Sequence, residues 1–129
     1  VGSEMCIRDR PVATVYIRPQ RYTLEFVERE DCFTLSFFGE EYRKALALCG
    51  SKSGRDVDKV KECGFTVAGA ACGAPYFEEA GLVLVCKKAY WQDMDPTHFL
   101  DGELDGKWYP ERDYHRIFIG EIVEVLKKN

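Results

Sequence analysis

Two short stretches of the chain concentrate side chains able to hold an anion. One contains Arg18, Gln20, Arg21 and Thr23, and the other Ser51, Lys52, Ser53, Arg55 and Lys59. Guanidinium groups grip phosphate through paired N–H donors, and hydroxyls add single donors. Gly50 precedes the second stretch and Gly54 lies within it, and both let backbone approach a ligand closely. Ser53, three residues before Asp56, has the spacing of a capping box, so this loop leads into a helix start whose free N–H groups favour negative charge. From composition alone the default is that both stretches are solvated loops pairing with the chain's acids. The run Gly50-Ser51-Lys52-Ser53-Gly54 lacks the frame of a P-loop, and no G-x-G-x-x-G occurs, so a Rossmann nucleotide site is unsupported.

His115 precedes Arg116 at the start of a predicted strand. It can serve as a partly exposed structural histidine, or as a hydrogen-bond partner or proton donor beside a ligand. His98 stands near Asp93, Asp95 and Asp101, but the spacing matches no metal pattern, and no metal site is expected. A serine nucleophile would need a G-x-S-x-G elbow, which is missing. Trp91, Trp108, Tyr109 and Tyr114 could cover a flat ring or pack across a dimer interface, with ordinary packing the default for each.

The elements that must position these residues follow from patterning. The β-branched run 12–17 stops at Pro19 and predicts a buried strand. Residues 22–30 combine helix formers with an apolar side of Tyr22, Phe26 and Val27, predicting a short helix. Residues 33–38 alternate as a second strand. Residues 40–48 show helical spacing, ended by Gly50, and Val57, Val60 and the Cys63-Gly64 end predict another short helix. Residues 64–75 form a turn-rich connector with a brief strand at 65–67. A long strand is predicted at 82–91 and a last one at 114–126, where Gly120 marks a bulge or a close approach to another backbone. Between them, 92–113 reads as a long polar loop of the kind that forms lids, binding loops or dimer arms. Long strands with an internal glycine suit a curved, closed sheet, so the fold class is mainly β (α+β) with barrel character.

The chain has 129 residues, 46% hydrophobic and 31% charged, which suits one domain with a real core. A net charge of -4 argues against a general nucleic-acid surface. The six cysteines include no C-x-x-C pair and read as reduced thiols, implying a cytoplasmic home. No apolar stretch is long enough to span a membrane. The opening 1–10 is polar and unlike a domain start; it is set apart as a leader foreign to the fold, leaving residues 11–129 as the domain.

The run from Pro11 to Thr23, with Arg18-Pro19-Gln20-Arg21-Tyr22-Thr23 at its end, resembles the R-P-x-R-[YF]-T region of the flavin reductase-like family, in the FMN-binding split-barrel superfamily. The resemblance continues through Phe33-Thr34-Leu35-Ser36-Phe37-Phe38 and through Gly50 to Lys59. It returns at Tyr114 to Ile122, which is similar to an H-x-x-x-x-G-[EK]-[IV] strand. It implies a split β-barrel with short peripheral helices, incomplete at its amino terminus, that forms a homodimer and binds FMN near the interface. It places Arg18, Arg21 and Thr23 near the flavin phosphate and ribityl chain. Ser51, Lys52, Ser53 and Arg55 would form the other side of the pocket, with Lys59 and Asp58 as weaker members, and His115 would face the flavin or substrate. The implied activity moves a hydride from NAD(P)H to flavin and electrons onward to an acceptor. The alternatives are a non-catalytic FMN-binding module and a structural dimer without ligand. Family members carry further residues ahead of the position of Pro11, including part of the ring site, so the resemblance speaks more firmly for membership than for activity.

Overall fold

A computed structural model of the chain describes residues 6–7, 10–21, 23–51, 61, 64–70 and 72–128. Seven strands are described: β1 (Cys6–Ile7), β2 (Arg10–Ile17), β3 (Cys32–Phe37), β4 (Val67–Gly69), β5 (Pro75–Phe77), β6 (Leu82–Asp93) and β7 (Arg116–Lys127). With them are the helices α1 (Thr23–Arg29), α2 (Arg43–Ser51) and α3 (Gly102–Trp108). Five strands form one antiparallel sheet in the order β1-β2-β7-β6-β3, and β4 and β5 form a separate hairpin. The mainly β class with short helices is as expected. Closure is not: among the described residues the sheet is open, with β1 and β3 at its edges.

The two sheet faces bury separate cores, as strand alternation requires. On one face Ala13, Phe33, Cys86 and Phe118 pack with Leu24 and Val27 of α1, supported by Val15, Ile17, Leu35, Leu84 and Ile122. On the other face Val83 and Val85 pack with Ala80, Phe38, Ala70, Tyr76 and Leu126, under the β4–β5 hairpin. The Thr34 hydroxyl donates to the Pro75 carbonyl at 2.7 Å, pinning the hairpin to β3. Beside it, Phe38 stacks on Phe65 at 5.0 Å, and Tyr42 and Phe77 complete an aromatic cluster that fixes where α2 begins.

Helix α1 docks through Leu24 and Val27 and is tied to the sheet by Lys88. The Lys88 ammonium donates to the carbonyls of Val27 (2.6 Å) and Glu28 (3.0 Å). These carbonyls lie in the last turn of α1, where acceptors are left over and a cation is favoured.

Gly120 lies between two irregularities in the β6–β7 ladder, one at Val85/Cys86 and one at Lys88/Tyr90. A Cβ at this position would come within 2.8 Å of Cys86 Cβ and of Phe33 Cε1 and Cζ. The close approach expected of this glycine is therefore to side chains of the core, not to another backbone.

Other sequence expectations are corrected. The helix at 40–48 is a 3₁₀ turn, Glu40–Tyr42, running into α2. The strand expected at 65–67 starts later, as β4, because Phe65 turns into the aromatic cluster; its partner β5 was not foreseen. The polar excursion 92–113 is not one loop. It extends β6 to Asp93, forms a 3₁₀ turn at Pro96–His98, and then forms α3. Asp95 and Asp101 cap these turns, accepting from the backbone N–H of Thr97 and Glu103. Ahead of Pro11, Cys6 and Ile7 of β1 pair with Pro11 and Arg10 of β2. The helix expected through Val57 and Val60 to Cys63 lies outside the described residues.

Candidate functional site

The pairing of Ile17 with Arg116 brings the end of β2 beside the start of β7. The chain then leaves β2 through a tight turn closed by the Arg21 N–H donating to the Arg18 carbonyl at 3.0 Å. Pro19 takes the second position of that turn, where its fixed φ is favoured. Helix α1 follows at once, and Thr23 is its first residue. A cavity of about 350 Å³ forms at this corner, lined by Tyr16, Ile17, Arg18, Arg21, Thr23 and His115. Four of the residues singled out from sequence thus border one space, although His115 is far from the others along the chain.

Their electrostatic settings differ. Arg18 is largely engaged: it donates to Asp113 (3.2 Å) and to the Trp108 carbonyl (3.0 Å), and its guanidinium sits 5.0 Å from the Tyr109 ring centroid. Asp113 also accepts from Gln20 at 2.6 Å, and this bond, with Arg18 nearby, holds the carboxyl below its usual range. Arg21 is exposed, and among the described residues no carboxylate pairs with it. Among the described cations of this corner, it is the one that remains available to a ligand. The Thr23 hydroxyl, also exposed, adds a neutral donor.

His115 is half-buried. Its Nδ1 lies 2.5 Å from the Tyr109 hydroxyl, and its ring meets the Tyr109 ring edge-on. Burial pushes its pKa below the ordinary value, the Arg18 charge lowers it further, and Asp113 opposes them. The imidazole is therefore neutral around pH 7, a hydrogen-bonding group rather than a fixed cation.

The second predicted cluster is not placed. Lys52, Ser53, Arg55, Asp58 and Lys59 lie outside the described residues, and Ser51 is described only as the last residue of α2. Asp113, Tyr109 and Tyr16 are site neighbours that sequence reasoning did not assign to it. Tyr109 alone carried a signal, as one of the aromatic residues framing the long excursion. Among the described residues no group of three or more His, Cys, Asp or Glu side chains is arranged to hold a metal. No described helix is long and apolar enough to cross a membrane.

A second hollow of about 290 Å³ opens on the sheet face that carries α1, lined by Glu28, Lys88, Trp91, Arg116 and Phe118. Arg116 lies 4.6 Å from the Trp91 ring centroid and is bonded to both Asp93 oxygens and to Glu28. Its charges are matched internally, which suits a strut between α1 and the sheet.

The family model of the flavin reductase like domain matches residues 3–129. The chain belongs to this family. Solved structures agree on the fold. An FMN-binding protein from Thermus thermophilus superimposes with a TM-score of 0.71 at 23% identity, covering 96% of this chain and 59% of that one. Flavoredoxin from Methanosarcina acetivorans gives 0.72 at 22% identity, with 96% and 56% covered. An NADH:FAD oxidoreductase from Streptomyces globisporus, solved with NAD and FAD fragments, gives 0.66 at 15% identity, with 95% and 61% covered. The chain thus spans little more than half the length of these structures. No match was found among curated proteins. The framework that the chain shares with these structures is the split barrel.

Proposed function

We propose that this chain carries the phosphate-binding side of an FMN site in a flavin reductase-like oxidoreductase. The observation that carries the proposal is the convergence of Arg18, Arg21, Thr23 and His115 on one cavity. The residues fit a phosphate ester. Arg21 offers a guanidinium with no carboxylate partner among the described residues, Thr23 offers a hydroxyl, and the cavity falls within the range of small-molecule sites, roughly 300–1,000 Å³. Bound flavin would supply acceptance of a hydride from NAD(P)H and release of electrons to an acceptor.

The protein's own part is binding and orientation. Arg21 and Thr23 donate to the phosphate. Arg18, braced by Asp113 and the Trp108 carbonyl, fixes the turn that presents them. His115, neutral around pH 7, donates a hydrogen bond into the cavity it lines. The family resemblance adds Ser51, Lys52, Ser53, Arg55 and Lys59 as the loop completing the anion pocket. A homodimer and a cytoplasmic location complete the reading. Phe37 and Val125, each about half exposed, support burial against a second copy, and the free thiols of Cys32, Cys72 and Cys86 suit a reducing compartment.

Anaerobic spectroscopy of the purified protein with FMN tests the proposal. The expected result is a protein-bound flavin spectrum, bleached on addition of NADH or NADPH. Bound flavin that neither nicotinamide bleaches would reduce the reading to a non-catalytic binding module. Failure to retain flavin would overturn it.

A further inference from the structure

The contacts of Tyr109 give His115 a defined chemical state. Tyr109 is buried and follows α3, with its backbone N–H donating to the Asp105 carbonyl at 2.8 Å. Its ring is held on several sides: Arg18 at 5.0 Å, Tyr114 at 5.0 Å and Phe99 at 6.0 Å between centres. Its hydroxyl reaches His115 Nδ1 at 2.5 Å and Met94 Sδ at 3.5 Å. The His115 backbone is fixed in turn, its carbonyl accepting from the Met94 N–H at 3.1 Å.

A phenol has one proton to give, and two acceptors compete for it. Imidazole nitrogen is a strong acceptor, while a thioether is a weak one. The shorter contact also belongs to the imidazole. We infer that Tyr109 is a positioning residue: its hydroxyl donates to Nδ1 of His115 and so fixes the neutral tautomer protonated at Nε2. With Nδ1 occupied, Nε2–H is the ring group left for the cavity. His115 then presents a donor there, suited to an oxygen or ring-nitrogen acceptor of a ligand and unsuited to accepting a proton from one. The consequence for turnover rests on the flavin reading above; the tautomer does not.

Nitrogen-15 NMR of the full chain without added ligand reads the tautomer directly. The expected spectrum shows His115 protonated at Nε2, with Nδ1 bare and hydrogen-bonded. A proton on Nδ1 would overturn the inference. Tyr109→Phe keeps the ring contacts and removes the donor. Its His115 Nδ1 resonance should move to the position of a nitrogen without a hydrogen bond, and an unmoved resonance would contradict the inference. Met94→Leu removes the competing acceptor and should leave the tautomer unchanged; loss of the Nε2-protonated form in this variant would show that the phenol does not set the tautomer. In the FMN-loaded protein, Tyr109→Phe should lower turnover about 2- to 10-fold, the worth of one hydrogen bond, and add nothing to His115→Ala in the double variant. Additive losses would refute action through His115. A chain that shows the expected tautomer but binds no flavin would sink the proposed function and leave this inference standing.

Discussion

Gly120→Ala tests how tightly the sheet that carries His115 is built. The added Cβ would stand 2.8 Å from three carbons, Cys86 Cβ and Phe33 Cε1 and Cζ. Carbon pairs rest at about 3.5–4.0 Å, so each contact is short by roughly 0.7–1.2 Å. Neither neighbour can retreat into solvent, since Cys86 is 0% exposed and Phe33 is 7% exposed. The Cys86 atom is anchored to the backbone of β6, so relief requires Phe33 to leave its rotamer or β7 to shift. Overpacking of this kind costs about 1–3 kcal/mol, a factor of roughly 5 to 150 in the folding equilibrium. Urea unfolding followed by tryptophan fluorescence should show a lower midpoint at unchanged slope; with slopes of about 1–3 kcal/mol/M, a loss of about 2 kcal/mol moves the midpoint by roughly 1 M. Combining it with Phe33→Leu, which removes two of the three opposing atoms, should cost less than the sum of the single changes. If Gly120→Ala stays within about 0.5 kcal/mol of the parent, the reasoning about this packing is wrong.

Lys88→Met should destabilise the fold by about 1–3 kcal/mol, because the Val27 and Glu28 carbonyls lose a charged donor at the end of α1; urea unfolding measures it, and hydrogen exchange should show the loss concentrated in α1. His115, whose pKa is depressed in the folded state mainly by burial, contributes stability that is present above its unfolded value near 6.5 and is lost as pH falls through its folded value. Thermal unfolding of wild type and His115→Asn should therefore show a gap in favour of wild type that narrows as pH falls below about 6.5; a gap that widens on acidification would contradict the sign.

Much of the framework was legible because it rests on local pattern. The runs at residues 12–17 and 33–38 are β-branched or alternating, and both became strands within two residues of the expected ends. The turn carrying Arg18, Arg21 and Thr23 was legible too, since Pro19 and the following helix formers lie in one short stretch. His115 reached the same cavity only through the long-range pairing of Ile17 with Arg116, which no local pattern encodes. Asp113 was hidden among 22 acidic residues, with nothing in its neighbours to mark it. Helix α3 was missed because two of its seven residues are glycine, poor helix formers; the Asp101 cap was its one readable signal. β5 was missed because it is three residues long and opens with proline.

The central claim is that Arg21, with Thr23 beside it, receives the phosphate of a flavin nucleotide. Titration of FMN and of riboflavin, which lacks the phosphate, into wild type and Arg21→Glu compares that contact alone. The account predicts that wild type binds FMN more tightly by about 10- to 150-fold, the worth of hydrogen bonds to a charged group, and that the preference collapses in the variant while riboflavin affinity barely changes. Equal preference for FMN in both proteins would contradict it.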